Sequence, residues 1–317
     1  MKIVVLDGYA LNPGDNPWTP VSQLGELVVH DRTPADQILA HAAGAQIILT
    51  NKTPLSAQTI AQLPELRFIG VLATGFNVVD VVAARKRGIA VSNIPIYGTD
   101  SVAQFVFALL LEMCHHVPLH SGLVHAGEWP RREWSFWDTP LIELAGRKMG
   151  IVGFGRIGRR VGELAHAFGM DVLAFDTYHG SEPAYKTFAW AGIEDVFAQG
   201  HVVSLHCPLT PENTGMVNGK LLGLMKKEAF LLNTSRGPLI NDADLANALS
   251  KGQIAGAALD VISVEPIEPT NPLLKAPNCL ITPHIAWATT SARRRLMATA
   301  AQNIAAFQAG KPINVIN

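Results

Sequence analysis

The sequence has 317 residues, of which 48% are hydrophobic and only 16% are charged. This length and composition are typical of an α/β enzyme with two domains and large buried cores. The formal net charge of −1 excludes a general attraction to nucleic acid or to an anionic membrane, so we expect neither as a partner.

The cysteines and the apolar runs bear on the cellular compartment. Cys114, Cys207 and Cys279 are odd in number and form no CxxC pair, which predicts free thiols in a reducing compartment. The N-terminus, MKIVVLDG, reaches Asp7 after too few apolar residues for a signal-peptide core. The longest apolar run, Phe105 to Leu111, is far below membrane-spanning length. We therefore predict a cytoplasmic protein.

The first part of the chain alternates short apolar runs with helical patterns. The predicted strands are Ile3–Leu6, Leu27–His30, Gln46–Thr50, Phe68–Leu72 and Ile89–Ser92, with helical patterns at Pro34–Ala43 and Val79–Lys86. This alternation predicts a parallel sheet with helices on both faces. The almost continuously apolar segment Ser101–Val117 follows and is predicted to be a well-buried helix.

A second alternating series begins after the region 98–147, which is rich in Trp, Pro and His. Its predicted strands are Lys148–Val152, Asp171–Phe175, Val202–Leu205, Phe230–Asn233, Ala255–Leu259 and Cys279–Thr282. The last helix is predicted over about Thr290–Ala309. The sequence therefore predicts an α/β protein with two doubly wound parallel-sheet domains and a boundary near 98–147.

A glycine-rich turn joins the strand Lys148–Val152 to the helical pattern Arg159–Phe168. In Gly153-Phe154-Gly155-Arg156-Ile157-Gly158, the first glycine permits a tight turn, the second admits a pyrophosphate and the third allows close packing. The N–H groups and dipole of the following helix favour that phosphate. The alternative is a purely structural turn, but the strand–turn–helix context favours a dinucleotide-binding Rossmann domain.

An aspartate, Asp176, ends the next predicted strand, eighteen residues beyond Gly158. Its carboxylate can accept hydrogen bonds from the adenosine ribose hydroxyls and would repel a 2′-phosphate. The residues that follow, Thr177-Tyr178-His179, include no arginine. The sequence therefore favours NAD (NADH) over NADP as the cofactor.

Arg236, Glu265 and His284 follow three later strands. The carboxyl ends of parallel strands form the ligand crevice of an open sheet, so these side chains can converge. A guanidinium binds a carboxylate bidentately, and a glutamate beside a histidine fixes its tautomer and favours its protonated form. Taken alone, Arg236 could be a solvated loop residue and Glu265 a loop charge. His284 could be a histidine whose hydrogen bonds are made within the fold. With the nucleotide motif, they predict a catalytic set.

Four motifs, GFGRIG, NTSRG, DVISVEP and TPHIAW, stand in an order and spacing that resemble the D-isomer-specific 2-hydroxyacid dehydrogenase family. The segments SVAQFVFALLLEM and WSFWDTPLIELAG are most similar to its glycerate dehydrogenase/hydroxypyruvate reductase branch. The resemblance covers essentially the whole chain. It implies a flavodoxin-like substrate domain, residues 1–97 and 285–317, completed by the C-terminal helix, and a Rossmann NAD-binding domain, residues 98–284.

The resemblance also implies a role for each motif residue. Arg236 would bind the substrate carboxylate, and His284, held by Glu265, would donate a proton to the keto oxygen as hydride moves from nicotinamide C4 to substrate C2. The implied cofactor contacts, besides the glycines and Asp176, are Arg156 and Ile157 at the pyrophosphate, Cys207 and Pro208 under the adenosine, Thr234 near the nicotinamide ribose, and Asp260 at the carboxamide.

The substrate site implied by the resemblance includes a loop of the first domain. Ala73-Thr74-Gly75-Phe76 matches the family loop whose backbone N–H groups also receive the carboxylate; the alternative is an ordinary glycine turn. Trp287 would bound the pocket and favour small substrates, hydroxypyruvate or glyoxylate. The expected reaction is reversible NADH-dependent reduction of a small 2-oxo acid to the D-2-hydroxy acid, without a metal. Glu265 argues against formate dehydrogenase, which pairs its histidine with glutamine.

Two features depart from the family and one alternative function stays open. The long helix often begins SVAEH, but here it reads Ser101-Val102-Ala103-Gln104-Phe105, so we expect a change near the cofactor entrance or dimer contact. The chain stops at Asn317 soon after the last helix, so we expect no serine-responsive regulatory domain. The alternative is an NAD-sensing dimeric scaffold like the C-terminal binding protein co-repressors, which retain the same Arg–Glu–His set.

Other polar and aromatic clusters receive simpler interpretations. His116 and His120 have metal-ligand spacing, but Pro118 lies between them, and we expect no metal site. Arg293-Arg294-Arg295 is interpreted as a solvated or interface face of the last helix. The aromatic-rich loop Trp129–Trp137 predicts a homodimer contact through region 98–147. We expect Trp134 or its neighbours to reach the partner's active site.

Overall fold

The apolar runs form parallel strands in the computed structural model, which describes residues 1–132 and 134–317. The strands are β1 (Lys2–Val5), β2 (Glu26–Val29), β3 (Ile47–Thr50), β4 (Phe68–Val71), β5 (Ala90–Ser92), β6 (Lys148–Val152), β7 (Asp171–Phe175), β8 (Phe188–Trp190), β9 (Val202–Leu205), β10 (Phe230–Asn233), β11 (Gly256–Leu259) and β12 (Cys279–Ile281). The helices are α1 (Thr19–Ser22), α2 (Ile38–His41), α3 (Ala57–Ala61), α4 (Val81–Lys86), α5 (Thr99–His115), α6 (Val117–His125), α7 (Arg156–Ala167), α8 (Ile193–Gln199), α9 (Gly219–Leu222), α10 (Asp242–Ser250) and α11 (Thr290–Gln308).

The chain divides into two compact units. The first unit comprises Met1–Gly98 and Trp287–Asn317, and the second comprises Thr99–Ala286. Each contains a parallel sheet with helices, so the predicted α/β class with two parallel-sheet domains is confirmed.

The sheet of the first unit has the order β2-β1-β3-β4-β5, with all neighbours parallel. Successive side chains of a strand point to opposite faces, and both faces here are buried. Val4 belongs to one apolar cluster, whereas Ile3 and Val5 belong to the other. Leu296 and Ile304 of α11 join that second cluster, so the C-terminal helix covers one face of the N-terminal sheet.

The sheet of the second unit has the order β12-β11-β10-β9-β6-β7-β8 and is also parallel. Its topology reverses between β6 and β9, where a doubly wound sheet opens a crevice at the carboxyl ends of its strands. The buried helix α5 packs beside α7 over one face of this sheet. The fold thus brings the ends of β6, β7, β9 and β10 to one edge.

The predicted strands agree with the observed ones to within one residue at each end. The edge strand β8 was missed, because Phe188–Trp190 is too short to show a pattern and pairs only with β7 in the described chain. The pattern Pro34–Ala43 forms a 3-10 turn, Ala35–Gln37, followed by the short helix α2. The helix predicted at Arg159–Phe168 begins three residues earlier, because the last part of the glycine motif is already helical.

The interpretation of all three arginines of α11 as a solvated or interface face was wrong for Arg293. That side chain is 6% exposed, and its two terminal nitrogens donate to the two carboxylate oxygens of Asp15 at 2.5 and 2.7 Å. Arg294 and Arg295 are exposed. In the described chain no single helix is long and apolar enough to cross a membrane. The helices α5 and α6, which meet at a bend of 55°, have that length and composition only when they are taken together.

Candidate active site

The glycine turn after β6 is shaped by close backbone contacts. Gly153 has φ 93°, and a Cβ there would collide with the backbone of Cys207. A Cβ on Gly158 would collide with the Gly153 carbonyl oxygen, so these two positions exclude any side chain. Gly155 faces open space and is the N-cap of α7, and no described side chain caps that helix. The turn therefore leaves room for an anion at the start of α7, where Arg156 and Ile157 form the first turn.

Asp176 is held against this turn. Its Oδ2 accepts a hydrogen bond from the Phe154 N–H at 2.7 Å, and its Oδ1 accepts one from the Tyr178 N–H at 3.1 Å. Two backbone donors therefore orient the carboxylate at the end of β7. Oδ1 also accepts from the Thr177 hydroxyl at 3.5 Å, so Oδ2 is the oxygen that keeps a further lone pair for a ligand hydroxyl.

The loops after β9 and β10 are joined beside the glycine turn. The Ser235 hydroxyl donates to the Cys207 carbonyl oxygen at 2.6 Å. Burial, with a smaller contribution from the Asp176 charge, raises the pKa of the Cys207 thiol to about 11. Pro208, the next residue, is exposed, and its carbonyl oxygen accepts from Asn213 at 2.8 Å.

Asn233 shapes the turn that presents Arg236, and the sequence interpretation missed it. This fully buried side chain accepts from the Ser235 N–H at 3.0 Å and donates to the Arg236 carbonyl oxygen at 2.9 Å. An asparagine at the end of a strand, before Thr-Ser-Arg-Gly, is the signal that could have revealed it. Thr234, between them, has a buried hydroxyl with no hydrogen-bond partner in the described chain.

Arg236 and Glu265 stand on adjoining loops. Gly237 lies against the backbone of Ile262, where any Cβ would collide with its carbonyl group. Glu265 Oε1 accepts from the Ile262 N–H at 3.3 Å, and Glu265 Oε2 lies 2.7 Å from His284 Nδ1. This pairing leaves His284 Nε2 as the ring nitrogen that can face a substrate.

The loop after β12 holds His284 in a backbone conformation that L-residues rarely adopt, with φ 55°. Asp260 stabilises this loop from β11. Its carboxylate accepts from the Thr282 hydroxyl at 2.6 Å, the Ile285 N–H at 2.9 Å and the Ala286 N–H at 2.8 Å. Burial, at 1% exposure, raises the pKa of Asp260 despite these donors. The expected contact of Asp260 with a nicotinamide carboxamide stays a prediction.

Thr74, Gly75 and Trp287 belong to the first unit. The Thr74 hydroxyl donates to the Ile94 carbonyl oxygen at 2.8 Å, which anchors the loop after β4. The Trp287 ring meets the Tyr97 ring edge-on, with centroids 6.1 Å apart.

The second unit fits a dinucleotide on three independent observations. The turn at Gly155 leaves open space at an uncapped helix, Asp176 is oriented as an acceptor, and the buried Thr234 hydroxyl lacks a partner within the described chain. Together these groups can bind pyrophosphate, ribose hydroxyls and a further polar ligand atom.

His116 and His120, the pair with metal-ligand spacing, take part in hydrogen bonds within the fold. His120 Nδ1 lies 3.0 Å from the His116 carbonyl oxygen, and His120 Nε2 accepts from the Asp138 N–H at 3.3 Å. Among the residues that the structure describes, no group of three or more His, Cys, Asp or Glu side chains could hold a metal ion.

Comparison with known proteins identifies relatives over the whole chain. Residues 107–286 match the family described as D-isomer specific 2-hydroxyacid dehydrogenase, NAD binding domain. A hydroxypyruvate reductase from Blautia hydrogenotrophica is 50% identical over 321 residues, covering 100% of both chains. A glycerate dehydrogenase from Methylorubrum extorquens is 38% identical, covering 89% of this chain and 88% of its own. The crystal structure of TT0316 protein from Thermus thermophilus superposes with a TM-score of 0.89 at 32% identity, covering 100% of both chains.

Proposed function

This chain belongs to the D-isomer specific 2-hydroxyacid dehydrogenase family and is an NAD-dependent oxidoreductase that reduces 2-oxo acids; we propose that its substrate is hydroxypyruvate, with glyoxylate second. The product is then the D-2-hydroxy acid, and the reaction is reversible. The 50% identity to a hydroxypyruvate reductase supports hydroxypyruvate, and the expected pocket residue Trp287 favours a small side chain. The comparisons bring no support for the alternative of an NAD-sensing scaffold.

The observation that carries the mechanism is the 2.7 Å contact between Glu265 Oε2 and His284 Nδ1. Glu265 holds Nδ1 of His284, so the other ring nitrogen, Nε2, donates its proton to the keto oxygen. When bound, NADH would supply the hydride for reduction at C2 of the substrate. In the oxidation of the hydroxy acid, His284 takes the proton back as a base.

Two sets of donors hold the substrate carboxylate in this proposal. The Arg236 guanidinium pairs with it bidentately and orients the keto group for attack. The Thr74–Gly75 loop supplies backbone N–H groups. Because Arg236 would bind the reacting molecule close to C2, a small displacement of its guanidinium would slow the hydride step.

The cofactor is held by the second unit. The first turn of α7, with Gly155, Arg156 and Ile157, takes the pyrophosphate, and Asp176 takes the adenosine ribose hydroxyls. The Thr234 hydroxyl, buried without a partner in the described chain, donates to the nicotinamide ribose. We propose a preference for NADH, because a 2′-phosphate would meet the Asp176 carboxylate.

The purified protein tests this function directly. NADH oxidation should be fast with hydroxypyruvate and slower with glyoxylate, in a panel that also contains pyruvate, phenylpyruvate and 3-phosphohydroxypyruvate. NADPH should be a poor substitute. Tight binding of NADH without turnover of any oxo acid would overturn the assignment and favour the scaffold.

We also propose that the protein is a homodimer through the region 98–147. Large apolar side chains there are exposed, including Trp134 at 86%, Trp137 and Leu141. Arg132 stiffens the loop, because it pairs with Asp138 and lies over the Phe136 ring, 4.4 Å from its centroid. Exposed aromatic side chains of this kind are typical of the core of a protein interface.

Sedimentation velocity and steady-state kinetics of Trp134→Ala test the dimer. A weaker dimer, or a raised KM for the oxo acid, is expected if Trp134 reaches the partner's active site. If both dimerisation and substrate affinity are unchanged, that role of Trp134 is wrong. We place the protein in the cytoplasm, where its three free thiols would stay reduced.

A further inference from the structure

The Thr74–Gly75 loop is tied to the far end of the chain through three asparagines. Asn93 Nδ2 donates to the Thr74 carbonyl oxygen at 2.7 Å. Asn303, on α11, donates to the Asn93 carbonyl oxygen at 3.0 Å. Asn314 donates to Asn303 Oδ1 at 2.8 Å, and its own carbonyl oxygen accepts from the Asn93 N–H at 3.1 Å. These contacts close a ring of hydrogen bonds around Asn93.

Asn93 and Asn303 are buried, where polar groups are costly unless they are paired, whereas Asn314 is partly exposed. Asn93 is 7% exposed and Asn303 is 1% exposed. A buried amide without partners destabilises a fold, but a fully bonded network in a low-dielectric core is rigid. The contact from Asn93 to Thr74 is therefore held by groups that have little freedom to move.

This contact determines the direction of the Gly75 N–H. The Thr74–Gly75 peptide is trans, since the cis bond found in the described chain is Glu265–Pro266. In a trans peptide the C=O and the following N–H point in opposite directions within one plane. Because Asn93 anchors the Thr74 carbonyl, the Gly75 N–H points away from the ring. In the described chain no acceptor takes that N–H.

We infer that Asn93 and Asn303 are positioning residues for substrate binding: they hold the Thr74–Gly75 peptide so that the Gly75 N–H faces the carboxylate of the 2-oxo acid. This inference rests on the proposed function, which places the carboxylate at that loop. Neither asparagine touches the substrate. Their effect is on affinity for the carboxylate and not on the binding of NADH, which the other unit holds.

Asn93→Ala and Asn303→Ala test the inference, with Ser92→Ala as the matched control. Ser92 is the buried neighbour of Asn93, and its hydroxyl donates to the Ile313 carbonyl oxygen at 2.7 Å without contacting Thr74. Asn93→Ala should raise the KM for hydroxypyruvate about tenfold, as expected for one or two lost hydrogen bonds, and leave the Kd of NADH within about twofold. Asn303→Ala removes a hydrogen bond to Asn93 and leaves the contact of Asn93 with Thr74 in place, so we expect the KM for hydroxypyruvate to rise only about threefold.

Oxamate supplies a readout that needs no turnover, because it carries the carboxylate and is not reduced. Its Kd for the enzyme–NADH complex should rise in step with the KM in both variants and stay unchanged in Ser92→Ala. A merely structural role would lower the melting temperature and kcat while leaving the KM and the oxamate Kd unchanged, and that result would overturn the inference. If Asn93→Ala does not fold, the KM and the oxamate Kd of Asn303→Ala test the inference instead.

Measurements on the wild-type enzyme distinguish failure of the proposed function from failure of the positioning role. If it neither reduces 2-oxo acids nor binds oxamate, the proposed function fails, and the positioning role fails with it. If the wild type is active and Asn93→Ala has unchanged affinities, only the positioning role is wrong.

Discussion

Gly237 lies against the backbone of Ile262 so closely that no side chain can occupy its position. The contact joins the turn that presents Arg236 to the loop that presents Glu265, and Glu265 pairs with His284. The side chains that we propose for carboxylate binding and for proton donation are therefore held in place by backbone packing as well as by hydrogen bonds.

Gly237→Ala should therefore separate these two loops. A Cβ at this position collides with the Ile262 carbonyl, and overpacking of this kind costs about 1–3 kcal/mol of unfolding free energy. We expect kcat/KM for hydroxypyruvate to fall more steeply than thermal stability. Gly219→Ala is the control, because its added Cβ makes only ordinary contacts, the nearest at 3.8 Å from Asp244 Oδ2. Equal activity of the two variants would contradict the role of this contact.

Arg236→Ala should remove the main cation for the substrate carboxylate. Loss of one partner of a buried charge pair costs about 2–5 kcal/mol, which should appear in kcat/KM for the oxo acid. The KM for NADH should change little. Arg236→Lys should recover only part of the loss, because a lysine cannot reproduce the bidentate geometry. Full activity of the lysine variant would show that only charge matters.

Glu265→Gln should slow reduction of the oxo acid, because it keeps the shape of the pair but replaces the carboxylate that holds His284 Nδ1 with a neutral amide. We expect kcat for hydroxypyruvate to fall by roughly tenfold or more, with the Kd of NADH unchanged. Single-turnover kinetics with deuterated NADH, whose isotope effect shows whether hydride transfer limits the rate, check this. Equal rates for the two enzymes would argue against a role of Glu265 in holding the proton donor.

Asp176→Ser should improve the use of NADPH relative to NADH. The substitution removes the carboxylate that would repel a 2′-phosphate, together with the acceptor for the ribose hydroxyls and for the Phe154 N–H. We expect the ratio of kcat/KM for NADPH to that for NADH to rise by about tenfold or more, equivalent to at least ~1.4 kcal/mol. Asp171→Asn, an exposed change at the start of β7, should leave the ratio unchanged.

Cys207 should react slowly with iodoacetamide at pH 8. Burial raises the pKa of its thiol above the ordinary value of 9.0 to about 11, and the thiolate is the reactive form. The folded protein therefore favours the protonated thiol, and this contribution to stability is present below pH 9 and is lost as the pH rises toward 11. Mass spectrometry of labelled protein should show faster reaction at pH 10 and protection by NADH. Rapid labelling at pH 8 that NADH does not slow would contradict both the burial and the cofactor contact.

Local patterns predicted most of the fold because they depend on neighbouring residues. The buried strands were predicted to within one residue at their ends, since both faces of a parallel sheet are apolar. The glycine turn was predicted because its motif lies within six residues, although the backbone that excludes a side chain from Gly153 belongs to Cys207. The edge strand β8 was not predicted, because its three partly exposed residues are too few to show a periodic pattern.

The fold class, the family and the candidate residues for the chemistry could be predicted from the sequence alone, since each is written in short contiguous motifs. The contacts that hold those motifs in place are visible only in the folded chain. Asp260 supports the loop of His284 across 22 to 26 positions, Asn303 supports Asn93 across 210, and Arg293 binds Asp15 across 278. A polar side chain is read as solvated from sequence alone, because its partner becomes a neighbour only when the chain folds and water is excluded from both.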